Sequence, residues 1–325
     1  AKVGRAIEQN RLGDSAMAKV KRWVLTSGYR YRAQPELVAA MRELAGEAYI
    51  RSNMNARKAM LELEKAAGRD PRVFEQTFRA LTGEEPISAL PAQMQEHAQY
   101  IRRYIDGLSE QIQNELAHVG TAQAFARMNV IEENIGRYLR RQYARDLLGG
   151  KWKPPQGAID DAARWLIEND VFKAEKAGRE VVLNESELAG RLLDMVMGDE
   201  TVTITGRKFG RLNRSIMLHR KDIPEAIRNA MGEIKSAPAV VAMTIAQQER
   251  YLATLKFHRR LYEAGFAGNV MDETRGFTHH LPESEGLGVL SGKWTNAEVF
   301  EALGETSARS ARENEALHWL TSMWK

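Results

Sequence analysis

Apolar positions in this chain recur every three to four residues over long stretches and alternate every second residue almost nowhere, so the pattern predicts a mainly helical chain. The longest stretch opens at Ser236, with Pro238 in the first turn, where its missing N–H costs nothing, and no breaker until Gly265. Val241, Ile245, Leu252, Leu255 and Tyr262 share one stripe, while Arg250, Lys256, Arg259 and Arg260 stand on the other side. The spacing therefore predicts a helix over 238–264 with one buried and one charged face, a beam for others to pack on. At ~1.5 Å per residue it is roughly 40 Å long. A shorter helix is predicted just before it, with Asp222 as N-cap, Pro224 in the first turn, Glu225 completing a capping box, and an end near Gly232.

The remaining segments read similarly. Residues 1–27 suggest a helical pair broken at Gly13-Asp14. Pro35 opens a helix whose apolar face, Leu37, Met41, Leu44 and Tyr49, runs up to Met54, and 56–67 is another segment ended by Gly68. Asp70-Pro71 starts a short helix carrying Val73, Phe74, Phe78 and Leu81, followed by a turn at 82–86. A long helix over 91–119 shows Met94, Ile101, Ile105, Leu108, Ile112 and Leu116 as its stripe. Residues 121–148 are helical, with an interruption at Gly136; 158–172, 186–198, 296–303 and 311–324 are further helices. Thr201 to Thr205 alternates and is β-branched, which predicts a strand. Glycines and Pro282 keep 274–294 extended, and these two regions can pair into a small sheet. The expected fold is mainly α, a multi-helix bundle with a small extended or β element near 201–205 and 274–294. Gly149-Gly150 followed by Pro154-Pro155 marks the clearest boundary. It separates a helical-hairpin region, 1–150, from a helical region with the β element, 151–325, centred on the long helix at 238–264.

Composition narrows the function classes. The 325 residues include no cysteine, which excludes disulfides and thiolate metal sites. No apolar run approaches the roughly 20 residues of a membrane span, and no signal-peptide pattern is present. The first residue is not Met and the last residues, with Trp319, Met323 and Trp324, read as helix, so a piece of a longer polypeptide is expected. The net charge of +4 is unevenly spread. Residues 201–260 hold twelve Lys and Arg against four Asp and Glu, and residues 261–325 hold five against ten. Such asymmetry can steer a basic face toward nucleic acid or an acidic protein, or it can be neutralised inside the fold.

Two basic clusters are candidates for nucleic-acid or partner contact. One comprises Arg207, Lys208, Arg211, Arg214, Arg220 and Lys221, with Phe209 available for stacking. The other is Arg137, Arg141 and Arg145, which would share one face of a helix. Adjacent His279 and His280 point to opposite sides of an extended segment and cannot easily reach one ion. The acid pairs Glu132-Glu133 and Asp160-Asp161 lack the cleft-spanning separation of hydrolytic carboxylates. Gly286-Leu287-Gly288 has no phosphate-loop context, and no serine sits in a nucleophile elbow. No catalytic residue, metal ligand or cofactor is assigned, and no enzymatic activity is expected of this segment.

Several phrases resemble a family, the large polyvalent proteins of phage and prophage virion genes. They are Ile131 to Leu139 with Arg141-Gln142-Tyr143, Trp152 and Pro154, then Arg220 to Lys235, and Leu290 to Trp294. The resemblance covers roughly residues 130–325. It implies a segment of a giant virion-associated protein, inside the particle or tail and delivered into the host envelope or cytoplasm on infection. Other virion proteins, further copies of the chain and phage DNA are the partners it implies. Some such chains carry a virion RNA polymerase or a wall-cleaving domain, and a nucleic-acid-binding accessory region of such a polymerase is the alternative reading.

Overall fold

The computed structural model describes residues 34–144, 153–176, 202–204, 207–209 and 224–304. The helices expected at 1–27, 186–198 and 311–324, and the Gly149-Gly150 boundary, lie outside the described residues. The chain is mainly helical and divides into two compact units, Ala1–Leu139 with Ser236–Lys325, and Arg140–Lys235.

The first unit opens with α1 (Pro35–Leu44), a π-helical turn (Ala45–Arg51) and α2 (Ser52–Ala66). The three run on as one helix, without the expected gap after Met54. Leu37, Met41, Leu44, Ala45 and Ala48 are buried on one side, and the small residues Ser52, Ala56 and Ala59 continue that face into α2. Met54 is 65 % exposed, so it does not extend the stripe. Gly68, at φ 61°, ends the helix region. Then comes α3 (Pro71–Leu81), where the Asp70 carboxylate accepts from the Arg72 N–H as an N-cap should. The long helix α4 (Ala92–Ala117) buries every position of its predicted stripe. In α5 (Ala122–Asn134), Thr121 Oγ1 caps the Ala124 N–H at 3.2 Å.

The centre of this unit is α8 (Ala237–Glu263), close to the predicted bounds. Its surroundings differ from the prediction in two ways. It packs on α1, the π turn, α2, α3 and α4 from the first 117 residues, as well as on Ala267–Gly268 and Glu285–Leu290 that follow it. It is also buried on all faces over most of its length, with Val240, Val241, Met243, Ile245, Ala246, Tyr251, Leu252, Ala253, Leu255, Phe257 and Leu261 in the core. Helices enclosed by other helices lose the one-sided pattern of a surface helix. Tyr262, assigned to the buried stripe, is 39 % exposed.

Its basic side chains are not a free face either. Arg250 donates to the Ala48 carbonyl and to Asn53 Oδ1, Arg259 pairs with Glu115 at 3.2 Å, and Arg260 pairs with Glu43. Much of the basic surplus on this helix is thus neutralised within the fold.

Beyond α8, three short antiparallel strands form a sheet in the order β3 (Ala267–Gly268), β5 (Trp294–Thr295), β4 (His279–His280). The β element expected at 274–294 is present, but its partner is not the 201–205 strand. That segment forms its own hairpin, β1 (Val202–Ile204) with β2 (Arg207–Phe209), Thr203 opposite Lys208. A tight local turn costs far less chain entropy than a long-range pairing. Between β4 and β5, the 3-10 segment Glu285–Leu290 lies against α8. Gly288 adopts φ 51°, and a Cβ there would sit 3.0 Å from Leu255 Cδ2, so only glycine fits. Leu281, Leu290, Val299, Ala302 and Leu303 join Phe257, Leu261 and the α1 face in one core cluster.

The second unit is built on α6 (Gln156–Lys176) and α7 (Glu225–Ala230). Ala162 and Leu166 pack with Ile227, Ala230, Met231 and Tyr143. α7 starts with Pro224 at its N-cap position and no side-chain cap, in place of the predicted Asp222 box; Asp222 lies outside the described residues. Gly232, at φ 73°, closes the helix as predicted.

Candidate functional site

The basic candidates separate. Arg207 and Lys208 fall on β2. Arg145, Arg211, Arg214, Arg220 and Lys221 lie outside the described residues. Arg137 and Arg141 do not share a helix face, because α5 stops at Asn134, Ile135 turns to ψ 138°, and Gly136 takes φ 85°. A left-handed glycine after the last helical turn ends a helix rather than merely interrupting it. Arg137 remains exposed and donates to the Glu133 carbonyl at 2.7 Å.

Arg141 turns inward. Tyr143 bridges Glu233, with Ala144 N–H donating to the Gly232 carbonyl at 2.8 Å and Ile234 N–H donating to the Gln142 carbonyl at 2.9 Å. The Glu233 side chain is fully buried between Arg141 Nη1 at 2.5 Å and Arg228 Nε at 3.1 Å. A buried carboxylate requires such partners, because its desolvation would otherwise be prohibitive. Arg141 is therefore a structural ion-pair residue here.

The histidine pair lies in β4, His279 against the Phe300 ring at 5.2 Å and His280 against Trp294 at 5.0 Å. Among the described residues no three His, Asp or Glu side chains converge as a metal site would require. No described helix is long and apolar enough to cross a membrane.

The feature that sequence reading missed is a cleft of about 280 Å³ within the first unit. Glu47, Arg51 and Asn55 line it from the π turn and α2, Arg103, Tyr104, Gly107, Leu108 and Gln111 from α4, and Glu249, Leu252, Ala253 and Lys256 from α8. Glu249, 9 % exposed, is among the α8 residues of this wall. Its Oε1 accepts from the Tyr104 hydroxyl and from Asn55 Nδ2 at 2.8 Å, and Asn55 Nδ2 also reaches the Tyr104 oxygen at 3.1 Å. Its Oε2 has no hydrogen-bond partner among the described residues. Burial, reinforced by the Glu249 carboxylate, pushes the Tyr104 phenol well above its ordinary range, so it stays a donor at any physiological pH.

The π turn shapes one wall. Ser52 N–H donates to Glu47, five residues back, while the Ala48 carbonyl accepts from Ser52 Oγ and from Arg250 Nε at 3.2 Å, and the Tyr49 carbonyl from Asn53 at 2.7 Å. Such widened turns are rare and frequently occur at functional sites. A scan of family models and searches of curated proteins and solved structures returned no match to this chain.

Proposed function

We propose that this chain is a non-enzymatic structural segment of a bacteriophage internal or ejection protein. It assembles with copies of itself or with other virion proteins, packing in the particle or forming a conduit during genome delivery. The observation that carries the reading is α8: a long helix enclosed by its neighbours, with Arg250, Arg259 and Arg260 turned to internal partners, makes a stiff body. The resemblance of 131–143, 220–235 and 290–294 to large polyvalent phage proteins supports the same reading. Location in the virion interior or tail, and delivery into the host envelope or cytoplasm, belong to the proposal.

A second reading is a nucleic-acid-binding accessory region of a large virion RNA polymerase. The hairpin carrying Arg207 and Lys208 is the feature that favours it. Sedimentation over a concentration series, with single-strand and duplex DNA titrations at low and moderate salt, separates the two. Concentration-dependent oligomers without DNA binding support the structural role. Monomers throughout, with DNA affinity that falls steeply with salt and weakens in Arg207→Ala and Lys208→Ala, replace it with the second reading.

A further inference from the structure

We infer that the outward face of α2 docks the protein onto an anionic lipid surface. Within α2, Met54, Arg57, Lys58, Leu61 and Lys65 stand at i, i+3, i+4, i+7 and i+11, which is one helical face about 16 Å long. Arg51, one turn earlier, continues it. The opposite face, with Ser52, Ala56, Ala59 and Leu63, is the buried one. All six outward residues are exposed, Met54 at 65 % and Leu61 at 48 %. Single exposed apolar side chains are common on any surface. Here two large ones lie two turns apart on one face, interleaved with four cations. Arg57 and Lys65 have no hydrogen-bond or ion-pair partner among the described residues. Arg51 and Lys58 reach Glu47 and Glu62 only at 3.5 and 3.9 Å, solvated pairs of little energy that yield readily to another anion. Glu64, the other acid of α2, is buried.

The mixture of side chains decides the partner. Nucleic acid would answer the cations but leave Met54 and Leu61 unmatched, since bases stack on aromatic rings and none of the six side chains is aromatic. A bilayer surface matches both kinds in one plane. Its phosphates lie at the level of the cationic heads, and hydrocarbon lies just beneath, where the two apolar tips insert while the Arg and Lys stems run beside them. The attachment is peripheral, since no described helix is long and apolar enough to cross a membrane. Such docking goes beyond the assembly role proposed above and does not rest on it.

The test is flotation of the whole chain with vesicles of phosphatidylcholine alone or with about 30 % phosphatidylglycerol, at low and moderate salt. The anionic vesicles are expected to bind at least about tenfold more tightly, and salt to weaken them. Each cation near such a surface is worth about fivefold, so Arg57→Gln, Lys58→Gln and Lys65→Gln together should weaken binding roughly a hundredfold. Met54→Ser with Leu61→Ser should weaken it about tenfold or more. These positions are exposed, and circular dichroism checks that each variant keeps its helices. Because the chain has no cysteine, Met54→Cys carrying an environment-sensitive dye reports insertion directly in an otherwise unaltered protein. Its emission should shift to the blue on anionic vesicles, while the same dye on Glu301→Cys, exposed on another segment, should not shift. Equal binding to neutral and anionic vesicles, or an unshifted dye at position 54, overturns the proposal. So does a serine variant that binds as the parent does. Tighter binding to duplex DNA at equal phosphate concentration would make nucleic acid the occupant instead, and loss of self-association in the glutamine variant without lipid would make it a second copy.

Discussion

His258 gives this protein an acid sensitivity that can be worked out in advance. The side chain projects from α8 into the core at 3 % exposure, beside Phe257 and close to the strained Gly288. Its Nδ1 has no hydrogen-bond partner among the described residues. Burial alone pushes its pKa from the ordinary 6.5 down to about 4. The folded state therefore binds this proton more weakly than the unfolded state, and the histidine's contribution is intact above pH 6.5 and lost as the pH falls toward 4. From those two values, acidification from pH 7 to pH 5 removes about 2 kcal/mol of folding stability, and the full offset approaches roughly 3 kcal/mol below pH 4. Urea unfolding monitored by circular dichroism at several pH values in that window measures the loss. The control is His258→Leu, which keeps the volume and cannot titrate. Its stability should decline by about 2 kcal/mol less than the parent's over the same window. Parallel declines in parent and variant would refute the reasoning, because the imidazole would then not be the group taking up the proton.

Two further measurements probe the other structural conclusions. Glu233→Ala leaves Arg141 and Arg228 buried without their carboxylate and should cost about 3–5 kcal/mol, with early proteolytic cleavage confined to 140–235. A loss under about 1 kcal/mol would show the ion pair to be incidental. At the helix starts, Thr121→Ala should cost about 1 kcal/mol by removing a formed cap, whereas Ser236→Ala should be near neutral because the Ser236 hydroxyl makes no cap bond. Chemical denaturation of the two variants decides this, and equal losses would contradict the geometry.

Local features of this chain were legible because their causes are local. The stripe of α4 from Met94 to Leu116 follows the helical repeat and is buried at every position. Asp70 and Thr121 cap where their side-chain oxygens meet the next free N–H groups, and Gly68, Gly232 and Gly265 stop helices by taking positive φ. The candidate site was less legible. Arg141 looked like part of a basic face until Glu233, 92 positions away, was placed against it. Arg250, Arg259 and Arg260 looked like a solvated side of α8 because the Ala48 carbonyl, Glu115 and Glu43 that meet them belong to distant segments.

By itself, then, the order of residues determined that the chain is helical, where most described helices begin and end, and that a short β element lies beyond α8. Only the tertiary structure decided that α8 is enclosed, that the β1–β2 hairpin pairs with itself, and that Glu249, Tyr104 and Asn55 meet in the wall of a cleft. The physical reason is that capping and periodicity act over a few residues of backbone, whereas enclosure, charge neutralisation and cavities depend on which segments pack together across hundreds of positions.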